Sequence, residues 1–320
     1  MLASNAAAPP GRPLDERDYL RFDRADWAAL SPGTPLPFST EELQGLRGID
    51  QPVAPAEVAE IYLPLARLLE IRMAAQRGLA QAAGDFLDRP ASPSPFIVAV
   101  AGSVAVGKSC FARVLQAVLA GNGRRPLVAL VTTDSFLHPN SMLEARGLMQ
   151  RKGFPESYDL PSLTALLAAL KAGTPTVETP IYSHLAYDIL RDQKQVIDRP
   201  DIVVLEGLNV LQPTMSPLGL ASDFFDFSIY LDAEAADIEA WFMNRFRLLQ
   251  QTAFQDPASY FYRYRDVTAE AALAFAAAAW REINLANLEE HILPTRARAD
   301  LVLLKRADHA IAELWLRRTP

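Results

Sequence analysis

The 320-residue sequence has a single cysteine, Cys110. One thiol cannot close an intramolecular disulfide, which suits a reducing compartment and leaves Cys110 the part of a small buried hydrophobe. Positive charge is also scarce: the formal net charge is −7, and there are only five lysines and four histidines. A nucleic-acid binder needs a basic face, so that class is set aside, and an anionic ligand must be held by local cations and amides. No apolar run approaches the ~18 residues of a membrane-spanning helix. The longest, Ala271–Trp280, is alanine-rich and too short. Residues 1–20 show no apolar core behind a basic start, so no signal peptide is expected. These absences predict a soluble, cytoplasmic protein with no membrane partner. Half of the residues are hydrophobic and 22% are charged, enough for a sizeable core in one large domain or two small ones.

What is present stands out against that background. The apolar run Phe96–Ala101 meets Gly102, and Gly102-Ser103-Val104-Ala105-Val106-Gly107-Lys108-Ser109 then leads into a helical pattern. This is G-x-x-x-x-G-K-[ST], the phosphate-binding P-loop, in the strand–loop–helix setting it requires. Its glycines let backbone N–H groups approach an anion, and the following helix points its positive end at the phosphates. Lys108 is placed to reach the β- and γ-phosphates of a nucleotide and Ser109 to ligate Mg²⁺. With only 15 glycines and five lysines in the chain, a chance match is expected roughly once in a thousand such sequences.

Residues 1–16 read as a disordered leader. An N-terminal helical extension, 17–90, follows, with short helices near Asp26–Leu30 and Thr40–Leu46 and a long one from Pro55 to about Leu87. The broad apolar face of that long helix suits packing on the core or a subunit interface equally. The remainder, 91–320, reads as one integrated core. After the P-loop strand, short apolar strands are expected at Leu127–Thr132, Asp201–Leu205, Phe224–Leu231 and Asp300–Leu304, separated by helical segments such as Leu160–Lys171. A helical region spans 234–290. This pattern predicts an α/β fold, a mostly parallel sheet flanked by helices, with ligands beyond the carboxyl ends of the strands. Gly102, Asp134, Glu206 and Asp232 fall at such ends.

Phosphoryl transfer needs a carboxylate for the metal, a group for the acceptor and cations for the moving charge. Asp134 is the acceptor-side candidate, with a turn cap as its plain alternative. Glu206 ends a hydrophobic strand and is a candidate for Mg²⁺ through water, with a structural ion pair as the alternative. A helix cap explains Asp232 equally well. Tyr182, His184 and Tyr187 concentrate polar rings in a non-helical segment. Phe254, Tyr260, Phe261, Tyr262 and Tyr264 build either core or the wall of a pocket for an apolar chain with a polar tip. Arg245 is either a surface salt-bridge partner or a lid arginine over the phosphates.

Taken together, the motifs resemble the type I bacterial pantothenate kinases, P-loop kinases of coenzyme A synthesis. The resemblance rests on Glu57-Val58-Ala59-Glu60-Ile61-Tyr62-Leu63-Pro64-Leu65, the P-loop, Thr132-Thr133-Asp134, Lys152-Gly153-Phe154-Pro155-Glu156-Ser157-Tyr158-Asp159 and Tyr182-Ser183-His184-Leu185. It continues through Leu205-Glu206-Gly207-Leu208-Asn209, Glu282-Ile283-Asn284 and Ile292-Leu293-Pro294-Thr295-Arg296, in order, over about residues 17 to 318. It implies a P-loop kinase fold with a helical substrate and lid region, and ATP-dependent phosphorylation of the pantothenate primary hydroxyl. In that reading Asp134 acts on the hydroxyl while Lys108 and Arg245 stabilise the transferring phosphoryl. Tyr182, His184 and Asn284 contact pantothenate, with Tyr260, Tyr264 and Phe242 at the same pocket, and Asp50 and His309 serve ATP beside the loop. The resemblance further implies a homodimer inhibited by CoA competing at the ATP site. Four residues depart from the family pattern: Phe242 for a tyrosine, Asp50 for an asparagine, Ser135 for a glycine and Cys110 for a threonine. Two other readings share the loop and the carboxylates: a related kinase for uridine or ribulose 5-phosphate, and a nucleotide- or CoA-binding regulator without turnover. A switch GTPase is not expected, because no Asn-Lys-x-Asp motif is present.

Overall fold

The computed structural model describes residues 13–46, 48, 53–89, 94–121 and 125–318; Asp50 and the segments 1–12, 90–93 and 122–124 lie outside the described residues. The chain begins with β1 (Tyr19–Asp23). Asp23 then caps α1 (Arg24–Ala28), its carboxylate accepting from the Asp26 N–H at 2.8 Å. Ser39 and Glu42 form a reciprocal capping box at α2 (Thr40–Leu46), through bonds of 3.2 and 2.7 Å. A proline opens α3 (Pro55–Glu57), which runs through a π-helical turn, Val58–Tyr62, into α4 (Leu63–Phe86). The long helical run expected from the sequence is therefore present. Its first half buries Val58, Ile61, Leu65 and Leu69, whereas Leu79 and Phe86 near its end are 72% and 88% exposed.

Next come β2 (Phe96–Gly102), α5 (Lys108–Ala120) and β3 (Val128–Thr132), then a 3₁₀ turn, Thr133–Phe136, and α6 (Asn140–Ala145). Asp159 caps α7 (Leu160–Lys171). A hairpin of β4 (Thr176–Ser183) and β5 (Asp188–Asp198) stands apart from the main sheet. The chain then enters β6 (Ile202–Gly207) and β7 (Phe227–Asp232), followed by α8 (Ala235–Gln251) and α9 (Ala269–Ala279). Two π-helical turns, Trp280–Leu285 and Leu288–Ile292, lead towards β8 (Leu301–Lys305) and β9 (Ile311–Arg317).

The main sheet has the order β1-β9-β8-β7-β2-β6-β3. Five strands, β3, β6, β2, β7 and β8, are parallel, and β9 is antiparallel to both β8 and β1. Every residue of β2, β6 and β7 is buried, as expected of central parallel strands covered on both faces. The N-terminal extension thus contributes a strand as well as helices. Of its five residues only Tyr19 is buried and Phe22 half-buried against β9, so no hydrophobic stretch announces it. At the amino end of β2, Asp226 ties three layers together, accepting from the Ile97 N–H at 2.7 Å, from Gln76 of α4 at 2.6 Å and from Lys171 of α7. The carboxyl ends of β2, β3, β6 and β7 face the opposite way and carry the candidate site.

Candidate active site

The chain leaves β2 through Gly102, at φ 145°, where a Cβ would lie 2.6 Å from the Leu231 carbonyl oxygen. No larger residue lets the loop turn so close to β7. Gly107 opens α5, and Lys108 folds back to donate to the Ser103 carbonyl at 2.6 Å. Ser109 donates to Glu206 Oε1 at 3.1 Å. Burial pulls Lys108 below its ordinary value against the fields of Glu206 and Asp134, and burial pushes Glu206 up against the field of Lys108. Gly207, which ends β6, has room for no side chain: a Cβ there would lie 1.8 Å from Thr133 Oγ1. That close approach seats the 3₁₀ turn carrying Asp134 against the strand end carrying Glu206.

Asp134 is not a cap. Thr132 caps its turn, accepting from the Asp134 N–H at 3.2 Å, and among the described residues nothing hydrogen-bonds or ion-pairs with the Asp134 carboxylate. The fields of Asp134 and Arg245 both act on Lys108 and on His184, so the four groups lie within electrostatic reach of one another. Arg245 lies half-buried on α8. Asp232 is not a helix cap either. It pairs with Arg296 at 2.6 Å, a buried ion pair joining the end of β7 to the turn before β8.

Across from the loop, the β4–β5 hairpin presents its rings. Tyr182 meets His184 edge-on at 5.2 Å, Tyr187 packs on Tyr260 at 5.1 Å and on Phe261 at 5.0 Å, and Phe261 leads to Tyr264 at 6.2 Å. Burial lowers His184, leaving its ring neutral near pH 7. Tyr260 and Tyr264 therefore join the hairpin's rings in one aromatic wall. Phe242 instead meets Trp280, at 5.9 Å, and Asn284 gives its amide to the Ala279 carbonyl at 3.4 Å. Sequence reasoning missed Lys152. This lysine donates to Asn140 Oδ1 at 2.6 Å and to the Tyr187 carbonyl, and its ammonium lies 3.8 Å from the Tyr187 ring centre and 5.1 Å from that of Tyr182. Burial pulls it down to about 8, against the fields of Asp188 and Asp134.

On the other side of the loop, a cleft is lined by Val53, Glu57, Gly107, Cys110, Lys305 and His309, among others. His309 stacks on Trp241 at 4.1 Å and is lowered to about 4 by burial and by Lys305. Lys305 donates to the Val106 carbonyl at 2.8 Å, bracing the P-loop from β8. Cys110 is buried, as its composition-based reading expected.

A phosphate loop at one strand end, with carboxylates at the ends of two neighbouring strands, is the frame of a P-loop kinase. Residues 97–245 match the phosphoribulokinase/uridine kinase family. The fold is shared with D-glycerate 3-kinase from Cryptococcus neoformans var. grubii, at a TM-score of 0.52 and 14% identity over 78% of this chain and 97% of that one. Pantothenate kinases of Streptomyces coelicolor and of Rhodopseudomonas palustris strain TIE-1 are each 52% identical to this chain. They match over 94% of it and over 93% and 96% of their own lengths. The chain belongs to the pantothenate kinase family. Among the described residues, no helix is long and apolar enough to cross a membrane.

Proposed function

We propose that the protein transfers the γ-phosphoryl group of ATP to the primary hydroxyl of pantothenate, giving 4′-phosphopantothenate and ADP, the first step of coenzyme A synthesis. The observation that carries this reading is the unengaged Asp134 carboxylate, held at a strand end within the field of Lys108. Asp134 accepts the hydroxyl proton as the oxygen attacks phosphorus. Lys108, released from the Ser103 carbonyl by the incoming phosphates, and Arg245 neutralise charge on the transferring group. The loop amides hold the phosphate chain, and the cleft at Cys110, His309 and Glu57 lies where the nucleoside leaves the loop. On the acceptor side, Tyr182, His184 and Asn284 hydrogen-bond pantothenate, while Tyr260, Tyr264 and Phe242 wall its apolar parts.

Ser109 and Glu206 are hard oxygen donors 3.1 Å apart, which fits a magnesium ion held by one hydroxyl, one carboxylate, water and phosphates. Bound there, Mg²⁺ would draw charge from the β- and γ-phosphates.

CoA inhibition at the ATP site belongs to the same proposal, with the aromatic wall receiving its thiol arm. So does a homodimer, supported by the exposed Ile71, Leu79 and Phe86 along α4. A coupled assay with ATP, Mg²⁺ and pantothenate, repeated with uridine and then with added CoA, tests the reading. ADP release with pantothenate and a rise in apparent KM for ATP with CoA are expected; turnover with uridine alone would overturn it.

A further inference from the structure

The turn that carries Lys152 is gripped from three directions. Gly153 sits at φ 97°, and its N–H donates to Ser157 Oγ at 3.0 Å. Its carbonyl accepts two side-chain amides, Asn209 Nδ2 at 2.6 Å and Asn287 Nδ2 at 2.9 Å. Asn209 follows Glu206 by three residues, and Asn287 follows Asn284 by three. One carbonyl oxygen therefore joins the strand end of the metal-side carboxylate, the lysine turn and the helical segment of Asn284. Asn209 is 9% exposed and Asn287 4%, and neither amide oxygen has a partner among the described residues. A buried amide oxygen left unpaired costs stability, a cost that leucine in the same space would not carry. Packing alone gives no reason for two amides here; the carbonyl they hold does.

We propose that Asn209 and Asn287 are positioning residues for phosphoryl transfer: by clamping the Gly153 carbonyl they aim the Lys152 ammonium into the acceptor pocket beside Tyr182 and Tyr187. The side chain of lysine is long and its ammonium has no preferred plane, so its direction has to be set by the turn beneath it and by acceptors such as Asn140. This inference rests on the kinase reading above and deepens it.

The test is a double-mutant comparison on the full chain, with steady-state kinetics in ATP, Mg²⁺ and pantothenate. Asn209→Ala and Asn287→Ala are each measured alone and combined with Lys152→Met. Each single asparagine variant should lower kcat/KM for pantothenate roughly tenfold while leaving the KM for ATP within about twofold. In the Lys152→Met background the same substitutions should change kcat/KM for pantothenate by less than about twofold. A tenfold loss that persists without Lys152, or a loss that falls equally on ATP and pantothenate, overturns the proposal. So does an alanine variant that behaves as wild type. Should an alanine variant fail to melt cooperatively, Asn209→Ser and Asn287→Ser keep a small donor and enter the same comparison. Failure of the kinase reading itself would look different, because the wild-type chain would then form no phosphopantothenate.

Discussion

From Gly102 to Ser109 one unbroken stretch makes the proposed phosphate side of the cleft, and what it offers there is mostly backbone. The proposed acceptor side takes Asp134 from one turn, Lys152 from another, Tyr182 and Tyr187 from a hairpin, and Tyr260 and Tyr264 from the segment between α8 and α9. What it offers is side chains, drawn from segments distant in sequence. A backbone site tolerates change in most side chains but not in the few glycines that let it approach. A side-chain site can be retuned residue by residue, so acceptor choice is the more easily altered half of the enzyme.

Substitutions separate the two halves. Asp134→Asn should lower kcat by 10²–10⁴-fold while an ATP analogue still binds, as measured by titration calorimetry; unchanged turnover would remove Asp134 from its role. Gly207→Ala drives a methyl into Thr133 and should cost about 1–3 kcal/mol of stability, read as a lower denaturation midpoint, with both halves of the site disturbed because that glycine joins them.

The next prediction concerns pH. Lys152 titrates near 8 in the folded chain, so kcat/KM for pantothenate should fall as pH rises through 8, and Lys152→Arg, which stays charged, should flatten that limb. The stability linkage runs the other way. Between about 8 and 10.5 the unfolded chain holds a proton that the folded chain has lost, so stability contributed by this group rises with pH across that window. The smallest expected effect is at Phe242. Phe242→Tyr returns the residue usual in the family and should lower the KM for pantothenate by less than tenfold, corresponding to one hydrogen bond of about 0.5–1.5 kcal/mol.

The same contrast governs what could be read from the sequence. The P-loop, β2, β6 and β7 are contiguous and buried on both faces, so spacing and apolar runs reveal them directly. β1 and β9 are edge or near-edge strands with mixed burial, and their pairing joins residues almost the whole chain apart. Tyr182 and His184 were legible as unusual rings in a segment lacking helical period. Lys152 was not: its burial comes from Asn140 and Tyr187, 12 and 35 residues away, and a lone lysine in a polar turn reads as solvated. Asp232 reads equally as a helix cap or a site carboxylate, because Arg296, its partner, lies 64 residues further along.

The pairing of β1 with β9 also sets an order of events during synthesis. Tyr19–Asp23 emerges from the ribosome near the start and must wait for Ile311–Arg317 before its hydrogen bonds can form. Lys305, which braces the P-loop through Val106, arrives as late, and so does His309. A nascent chain released before Lys305 would own a P-loop with neither the β9–β1 edge nor the lysine that braces the loop. Truncated translation products are therefore expected to be both inactive and exposed at a sheet edge, a state that aggregation and proteolysis readily recognise.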